Sequence, residues 1–334
     1  MILVTGATGH IGNTLVRALV ERGQRVRAML LPGEDPTPLQ GLEVEQVPAD
    51  VLDFTSVLAA FGHVTRVYHL AGVISILPGP QPVLRAVNVV GTRHVLQAAR
   101  QVGVERLVYT SSIHALRRVP HGVLIDESLP FDPEGAISAY DASKAQASLE
   151  VLQAARAGIP ATIVCPTGVI GPYDFRRSEI ADLVLSCMRG EPQLYVDGAY
   201  DFVDVRDVAE GMIHACEYGR PGESYLLGGE QITVRRMLDS VAEITRRGFA
   251  RIRVPLGLAR LVSRVTPAYY RLTRARPRIT PYSLETLASN SNISHAKAAR
   301  ELGFVPRPLR QSLEDMISWL QENRQHIAGA RSAR

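Results

Sequence analysis

Lys144 stands four residues after Tyr140, and it is one of only two lysines in a 334-residue chain that carries 37 Lys+Arg. Positions i and i+4 of a helix share a face, so ammonium and phenol can meet. A neighbouring cation stabilises a phenolate and lowers a pKa that starts near ~10. Reaching about 7 would need about 3 units, or roughly 4 kcal/mol of differential interaction. The pair therefore reads as a proton-transfer device, with a surface pair on an ordinary helix as the bland alternative. Upstream, Thr110-Ser111-Ser112 follows an apolar run and offers hydroxyls at a strand end, where open α/β sheets bind ligands. Helix capping is the alternative for those serines.

These groups need a cofactor and a frame, and the first residues supply both. Apolar Met1-Ile2-Leu3-Val4-Thr5 runs into Gly6-Ala7-Thr8-Gly9-His10-Ile11-Gly12 and then an apolar-periodic stretch through Leu15, Ala18 and Leu19. Strand, glycine turn and helix follow without a spare residue. Gly6 permits the tight turn, Gly9 lets the backbone approach a pyrophosphate, and Gly12 lets helix and strand pack closely. The free N–H groups and dipole of the helix start then favour the phosphates. The spacing is GxxGxxG, and its context makes it a dinucleotide site.

Together, Thr5 to Gly12 and Tyr140-Asp141-Ala142-Ser143-Lys144 resemble the short-chain dehydrogenase/reductase superfamily. The resemblance is to its extended branch, with NAD-dependent epimerases/dehydratases and dihydroflavonol-4-reductase-like enzymes. Further stretches agree in order: Asp50-Val51, His69-Leu70-Ala71-Gly72, Asn88-Val89-Val90-Gly91-Thr92, Gly168-Val169-Ile170-Gly171-Pro172 and Phe202 to Ala209. Lys297 to Pro306 extends the match over nearly the whole chain. The resemblance implies that Tyr140 moves the hydroxyl proton, Ser112 steadies the oxyanion, and Lys144 grips the nicotinamide ribose. It implies that Asn88 fixes its helix and helps hold a relay water; satisfying a backbone group is the plain alternative for that asparagine. For the cofactor it implies Gly6, Thr8, Gly9, His10, Ile11, Gly12, Asp50, Val51, Leu70, Ala71, Gly72, Ser111 and Pro166, beside Tyr140 and Lys144. Asp50 would meet the adenine edge.

NAD enzymes place an acid about 20 residues beyond the glycines, and NADP enzymes an arginine. The second strand here ends Met29-Leu30-Leu31-Pro32, with Glu34 and Asp35 slightly late, so the cofactor is NAD or NADP, with NADP favoured. Sugar dehydratases of the branch it resembles place Asp-Glu after a threonine where this chain has Ser112-Ile113, so elimination lacks its acid and base here. The reading is an alcohol/ketone oxidoreductase; a nucleotide-sugar epimerase with tightly bound NAD is the alternative.

Alternating strand and helix signals predict an α/β doubly wound Rossmann fold with a parallel sheet and a smaller C-terminal substrate-binding lobe. Strands are expected at 2–5, 25–31, 43–47, 67–70, 107–110 and 162–165, and helices at 11–22, 53–60, 86–101 and 140–156. Residues 1–165 form the nucleotide domain and 166–325 the substrate lobe, with strands near 202–228 returning to the first; 326–334 reads as a disordered tail. Ten arginines and no acid lie between Arg246 and Arg278, interleaved with Leu256, Leu258, Leu261 and Val262. Against a net charge of +4, this reads as an amphipathic cover with arginines outward. Nucleic-acid binding and membrane-surface docking rank below it. Cys165, Cys187 and Cys216 have no metal or disulfide spacing. With no basic leader expected and no run of 18 apolar residues, the expectation is a cytoplasmic enzyme with a small-molecule substrate, compatible with a homodimer.

Overall fold

Ile2–Thr5 (β1) is buried along its whole length, as a strand inside a parallel sheet covered on both faces must be. The computed structural model describes residues 1–75, 81–263 and 280–323. After β1 the chain turns at Gly6, whose φ of +65° suits glycine, and enters the helix His10–Glu21. Val26–Leu30 (β2) and Glu45–Pro48 (β3) extend the sheet on one side of β1. Arg66–His69 (β4), Arg106–Thr110 (β5) and Ala161–Pro166 (β6) extend it on the other. Ser224–Leu227 (β10) closes the sheet, whose order is β10-β6-β5-β4-β1-β2-β3, every pair parallel. The order reverses between β1 and β4, so their carboxyl ends open a crevice where such folds bind ligands.

Two apolar layers hold the sheet. One packs Val57, Val95, Ala98, Ala145 and Val151, from helices 54–60, 91–102 and 139–156, onto one face. The other packs Leu15, Leu19, Val208, Met212 and Leu302, from helices 10–21, 205–217 and 296–302, onto the opposite face. The expected helix at 86–101 is interrupted: Ala86–Val90 is a π turn, and the α-helix Gly91–Val102 follows it to a left-handed Gly103. Such π turns cluster at functional sites.

The outer lobe has its own small sheets. Gly168–Ile170 (β7), Ala199–Asp204 (β9) and Glu230–Thr233 (β11) form one, and Gln193–Tyr195 (β8) with Arg251–Arg253 (β12) another. The return expected near 202–228 therefore splits. β10 rejoins the large sheet; β9 does not, and it ends at Asp204, whose side chain caps the helix Val205–Glu217 by accepting the Arg206 N–H. Gly168 makes the β7–β9 pairing possible, since a Cβ there would lie 2.7 Å from the rings of Tyr200 and Phe202.

The amphipathic cover is corrected where it is described. In the helix Leu256–Ser263 the buried face carries the small Ala259 and Ser263, one turn apart, while Leu258 and Leu261 are 53% and 63% exposed beside an exposed Arg260. The rest of that basic stretch, from 264, lies outside the described residues, as does the 326–334 tail. Among the described residues no helix is long and apolar enough to cross a membrane, and no His/Cys/Asp/Glu group could hold a metal ion.

Candidate active site

The carboxyl ends of the parallel strands gather the residues singled out in sequence. Gly6–Gly12 follows β1, Asp50-Val51 follows β3, Leu70–Gly72 follows β4, Ser111-Ser112 follows β5, and Pro166 ends β6. The glycines are required by the space. A Cβ on Gly6 would lie 2.8–2.9 Å from Ala71 and Leu70 backbone, and one on Gly12 would lie 2.1 Å from the Gly6 carbonyl oxygen. Gly9 is the helix N-cap without a side-chain cap, and the first turn carries no acid. Those N–H groups thus fit a pyrophosphate, with Thr8, His10 and Ile11 alongside. His10 Nε2 donates to the Pro172 carbonyl at 2.8 Å and Asn13 donates to the Tyr173 carbonyl at 3.1 Å, which tie this loop to the outer lobe. At the other end of the crevice Asp50 accepts the Leu52 N–H at 2.9 Å, while Val51 packs against Gly91.

A buried chain of hydrogen bonds fixes the crevice floor. Thr5 Oγ1 accepts the Leu70 and Ala71 N–H groups, so its own hydrogen points to His69 Nδ1 at 2.8 Å. Thr92 Oγ1 donates to the Asn88 carbonyl at 2.7 Å and so receives His69 Nε2–H at 3.0 Å. One neutral tautomer satisfies every partner, in keeping with burial pushing the imidazole down to about 3.

Asn88 serves the frame. Its Oδ1 accepts the Val73 N–H at 2.8 Å, and its Nδ2 donates to the Val73 carbonyl at 3.0 Å and to Ser143 Oγ at 2.9 Å. Ser143 donates onward to the Tyr140 carbonyl at 2.8 Å. The amide therefore clamps the β4 loop to the helix Ala139–Arg156.

That helix brings Tyr140 and Lys144 to the end of β5. Of the two serines, Ser112 is the one that bears on the Tyr140 phenol, holding its upward shift in check, whereas the Ser111 hydroxyl bonds Ser148 at 2.6 Å inside the helix contact. Ser111 thus spends its hydroxyl on the frame and not on the crevice. Lys144 Nζ donates to the Thr110 carbonyl at 2.8 Å, and a Cβ on Gly72 would lie 3.4 Å from it. The expected lowering of the phenol is not what the structure shows. Burial pushes Tyr140 up to about 12, against the opposing pull of Ser112, and burial pulls the Lys144 ammonium down to about 8. The two share a helix face, but the long lysine chain reaches down to β5. Tyr140 is therefore held as a neutral phenol.

Sequence reasoning missed the wall beside Tyr140. His114, two residues past Ser112, pairs its Nε2 with the Tyr200 hydroxyl at 2.6 Å and stacks on that ring, centroids 5.8 Å apart. Tyr282 meets His114 edge-on and donates to Asp141 Oδ1 at 2.8 Å. Arg118 lies 3.7 Å from the other Asp141 oxygen. Burial pushes His114 down to about 4, so the wall is neutral at its centre. Proximity to Ser112 was a signal for His114; nothing local marks Tyr200 or Tyr282, which arrive from the outer lobe.

The strand-end carboxylate that appeared to be missing in sequence is also present. Glu34 folds back and accepts the Leu31 N–H at 3.0 Å and the Thr8 hydroxyl at 2.6 Å.

Comparison with known proteins shows the family of the chain. The NAD dependent epimerase/dehydratase family matches residues 2–228. Sterol demethylase protein B of Methylococcus capsulatus is 37% identical over 326 residues, 96% of this chain and 98% of that protein. A 3-beta-hydroxysteroid dehydrogenase of Mycolicibacterium neoaurum is 28% identical over 330 residues, 91% of this chain and 87% of that protein. Among solved structures, a nucleoside-diphosphate-sugar epimerase from Pseudomonas aeruginosa superimposes with a TM-score of 0.77 at 25% identity, covering 96% of this chain and 97% of that one.

Proposed function

Because this chain belongs to the NAD dependent epimerase/dehydratase family, and with it to the extended short-chain dehydrogenase/reductase enzymes, we propose that it interconverts a secondary alcohol and a ketone. The observation that carries the reading is the placement of the buried, neutral Tyr140 phenol beside Ser112 at the end of β5, with the buried Lys144 ammonium one turn along the same helix. A ketone oxygen set between the two hydroxyls would receive a hydrogen bond from Ser112 and the proton of Tyr140. Both are worth most in a dry site, where donors need no reorganisation as charge develops. The nicotinamide dinucleotide, when bound, supplies or accepts the hydride. For its binding we assign the Gly6–Gly12 backbone with Thr8, His10 and Ile11 to the pyrophosphate side, and Asp50 and Val51 to the adenine side. Leu70, Ala71, Gly72 and Pro166 line the groove between, and Lys144 reaches the nicotinamide ribose. Asn88 is a positioning residue, acting through Val73 and Ser143.

We assign the substrate to ring-bearing secondary alcohols and ketones of the sterol type. The partly exposed rings of His114, Tyr200 and Tyr282 beside Tyr140 suit an apolar ring system, and the sterol and hydroxysteroid enzymes among its relatives support the same class. Among the described residues an arginine near Tyr140 is Arg118, already facing Asp141, which offers little to a sugar diphosphate.

The test is a panel of hydroxysteroids, cyclic ketones and nucleotide sugars with NADH, NADPH and their oxidised forms, followed at the nicotinamide absorbance. Net cofactor turnover with a ring alcohol or ketone supports the reading. A nucleotide sugar that isomerises without net cofactor change, with no ketone or alcohol turned over, would replace it by the epimerase reading.

A further inference from the structure

The basic stretch that begins at Arg246 has no part in the crevice or in the wall beside Tyr140, and it turns apolar side chains outward. In β8 and β12 the paired residues Leu194 and Ile252 are 59% and 49% exposed. The Val254 N–H, on the Tyr195 carbonyl at 2.8 Å, carries the pairing past Arg253, and the helix Leu256–Ser263 starts two residues later. Through Ala259 that helix packs with Val196 and Leu284. Leu258, Leu261 and Val262 stand three and four residues apart, so they share a different face, which is open to solvent. A surface helix ordinarily turns its large apolar residues to the core and its small or charged ones to water. Here the small residues are inside and the leucines outside. Single exposed leucines are common, but five large apolar side chains on two adjoining elements mark an interaction surface.

Charge says what this surface meets. Arg246, Arg247, Arg251, Arg253 and Arg260 interleave with these side chains, and residues 246–263 hold no acid. Arg251, Arg253 and Arg260 pair with Asp239, Asp197 and Glu285 from outside the stretch, but the last two arginines stay more than half exposed. Arg246 and Arg247 are exposed and form no ion pair among the described residues. A second copy docking on the same face about a two-fold axis would set arginine against arginine. An anionic bilayer suits both parts of the surface. Apolar side chains enter the headgroup boundary, while arginine stems lie along it and their guanidinium groups reach lipid phosphates. We propose that the outer lobe docks on anionic membrane surfaces through this face, with Leu258, Leu261 and Val262 inserted and the exposed arginines on the phosphates. The helix Leu256–Ser263 packs beside Pro281–Ala288, which carries Tyr282, so a docked membrane lies one helix away from the wall of the site. The docking does not depend on which reaction that site performs.

Co-sedimentation of the full chain with vesicles tests this without substrate, using phosphatidylcholine alone and phosphatidylcholine mixed with phosphatidylglycerol. We expect partition onto the anionic vesicles at about 0.1 M salt, weaker by about tenfold at about 1 M salt and on neutral vesicles. Leu258→Ser with Leu261→Ser should lower that partition by about tenfold, because it removes the inserted side chains. Leu194→Ser with Ile252→Ser should lower it less. Val305→Ser, at an exposed apolar residue elsewhere, should leave it unchanged. All these side chains are exposed, so thermal melts should match wild type and establish that each variant is folded. Folded wild type that stays off both kinds of vesicle, or binds neutral ones equally well, would overturn the proposal. So would anionic-vesicle binding that the double leucine variant leaves intact. A dimer in analytical ultracentrifugation that the same variant dissociates would overturn it too, making the face a contact between copies. Failure of the ketone and alcohol panel would remove the oxidoreductase reading and leave the vesicle result standing.

Discussion

Around Tyr140 the buried polar side chains are chiefly hydroxyls, amides and imidazole, among them Thr5, Asn88, Thr92, Ser111, Ser112, Ser143 and His69; across the crevice they include Asp174, Arg177, Asp182, Asp204 and Asp207. The first set is linked neutral to neutral, with Lys144 as the buried cation. The second is linked by ion pairs: Arg177 with Asp182, Arg206 with Asp204 and Asp315, and Arg307 with Asp207. A neutral network leaves a reacting group's pKa to burial and to its immediate partner, so Tyr140 and Lys144 are both displaced from their ordinary values. Ion pairs fix shape and give each charge a standing partner, which suits a lobe that positions a substrate without moving protons. The division has an exception beside Tyr140 in Asp141, a buried carboxylate that faces Arg118.

The sharpest way to break this division is Tyr140→Phe. It removes one hydroxyl from the neutral region, so turnover should fall by at least ~10²-fold while the melting midpoint and dinucleotide affinity stay close to wild type. Full activity of this variant on any turned-over compound would remove Tyr140 from the chemistry. In the paired region the opposite signature is expected. Arg206→Met leaves Asp204 buried without its main partner, so unfolding free energy measured with denaturant should drop by about 2 kcal/mol, below the full buried-pair cost because Arg206 is partly exposed. Dinucleotide affinity should hold.

Lys144 gives the pH test. Its ammonium is lowered to about 8, so it is charged below that pH and neutral above it. If that charge holds the cofactor, affinity should fall as pH rises through about 8, by about tenfold near pH 9. Lys144→Met should bind weakly with a flat profile; a wild-type titration that is flat from pH 7 to 9 would show that the charge is not used. The smallest effect belongs to an exposed pair of the nucleotide half, Arg93 with Glu150, where the arginine is half exposed. Arg93→Gln should cost no more than about 0.5 kcal/mol, since such pairs are screened by solvent. A larger loss would mean that exposure, and not only the half of the molecule, fails to explain where charge matters.

The sequence by itself determined what local geometry can encode. Strand, glycine turn and helix over residues 2–21 are contiguous, and the rule that only glycine fits at 6 and 12 is read from one short stretch. The four-residue step from Tyr140 to Lys144 is fixed by helix periodicity, and the alternation of strands and helices gave the parallel sheet up to β6. Tertiary structure decided whatever depends on distant partners or on burial. Which serine faces the phenol follows from Ser148 claiming Ser111, 37 residues away. The sheet that β9 joins follows from room beside Gly168, and the wall at His114 needs Tyr200, 86 residues on. The ion pair on Glu34 needs Arg176, 142 residues on, and no spacing rule reaches so far. The direction of the Tyr140 shift is of the same kind: spacing places a cation one turn away, but only the packed structure sets how dry the phenol is and where the lysine's hydrogen bond goes.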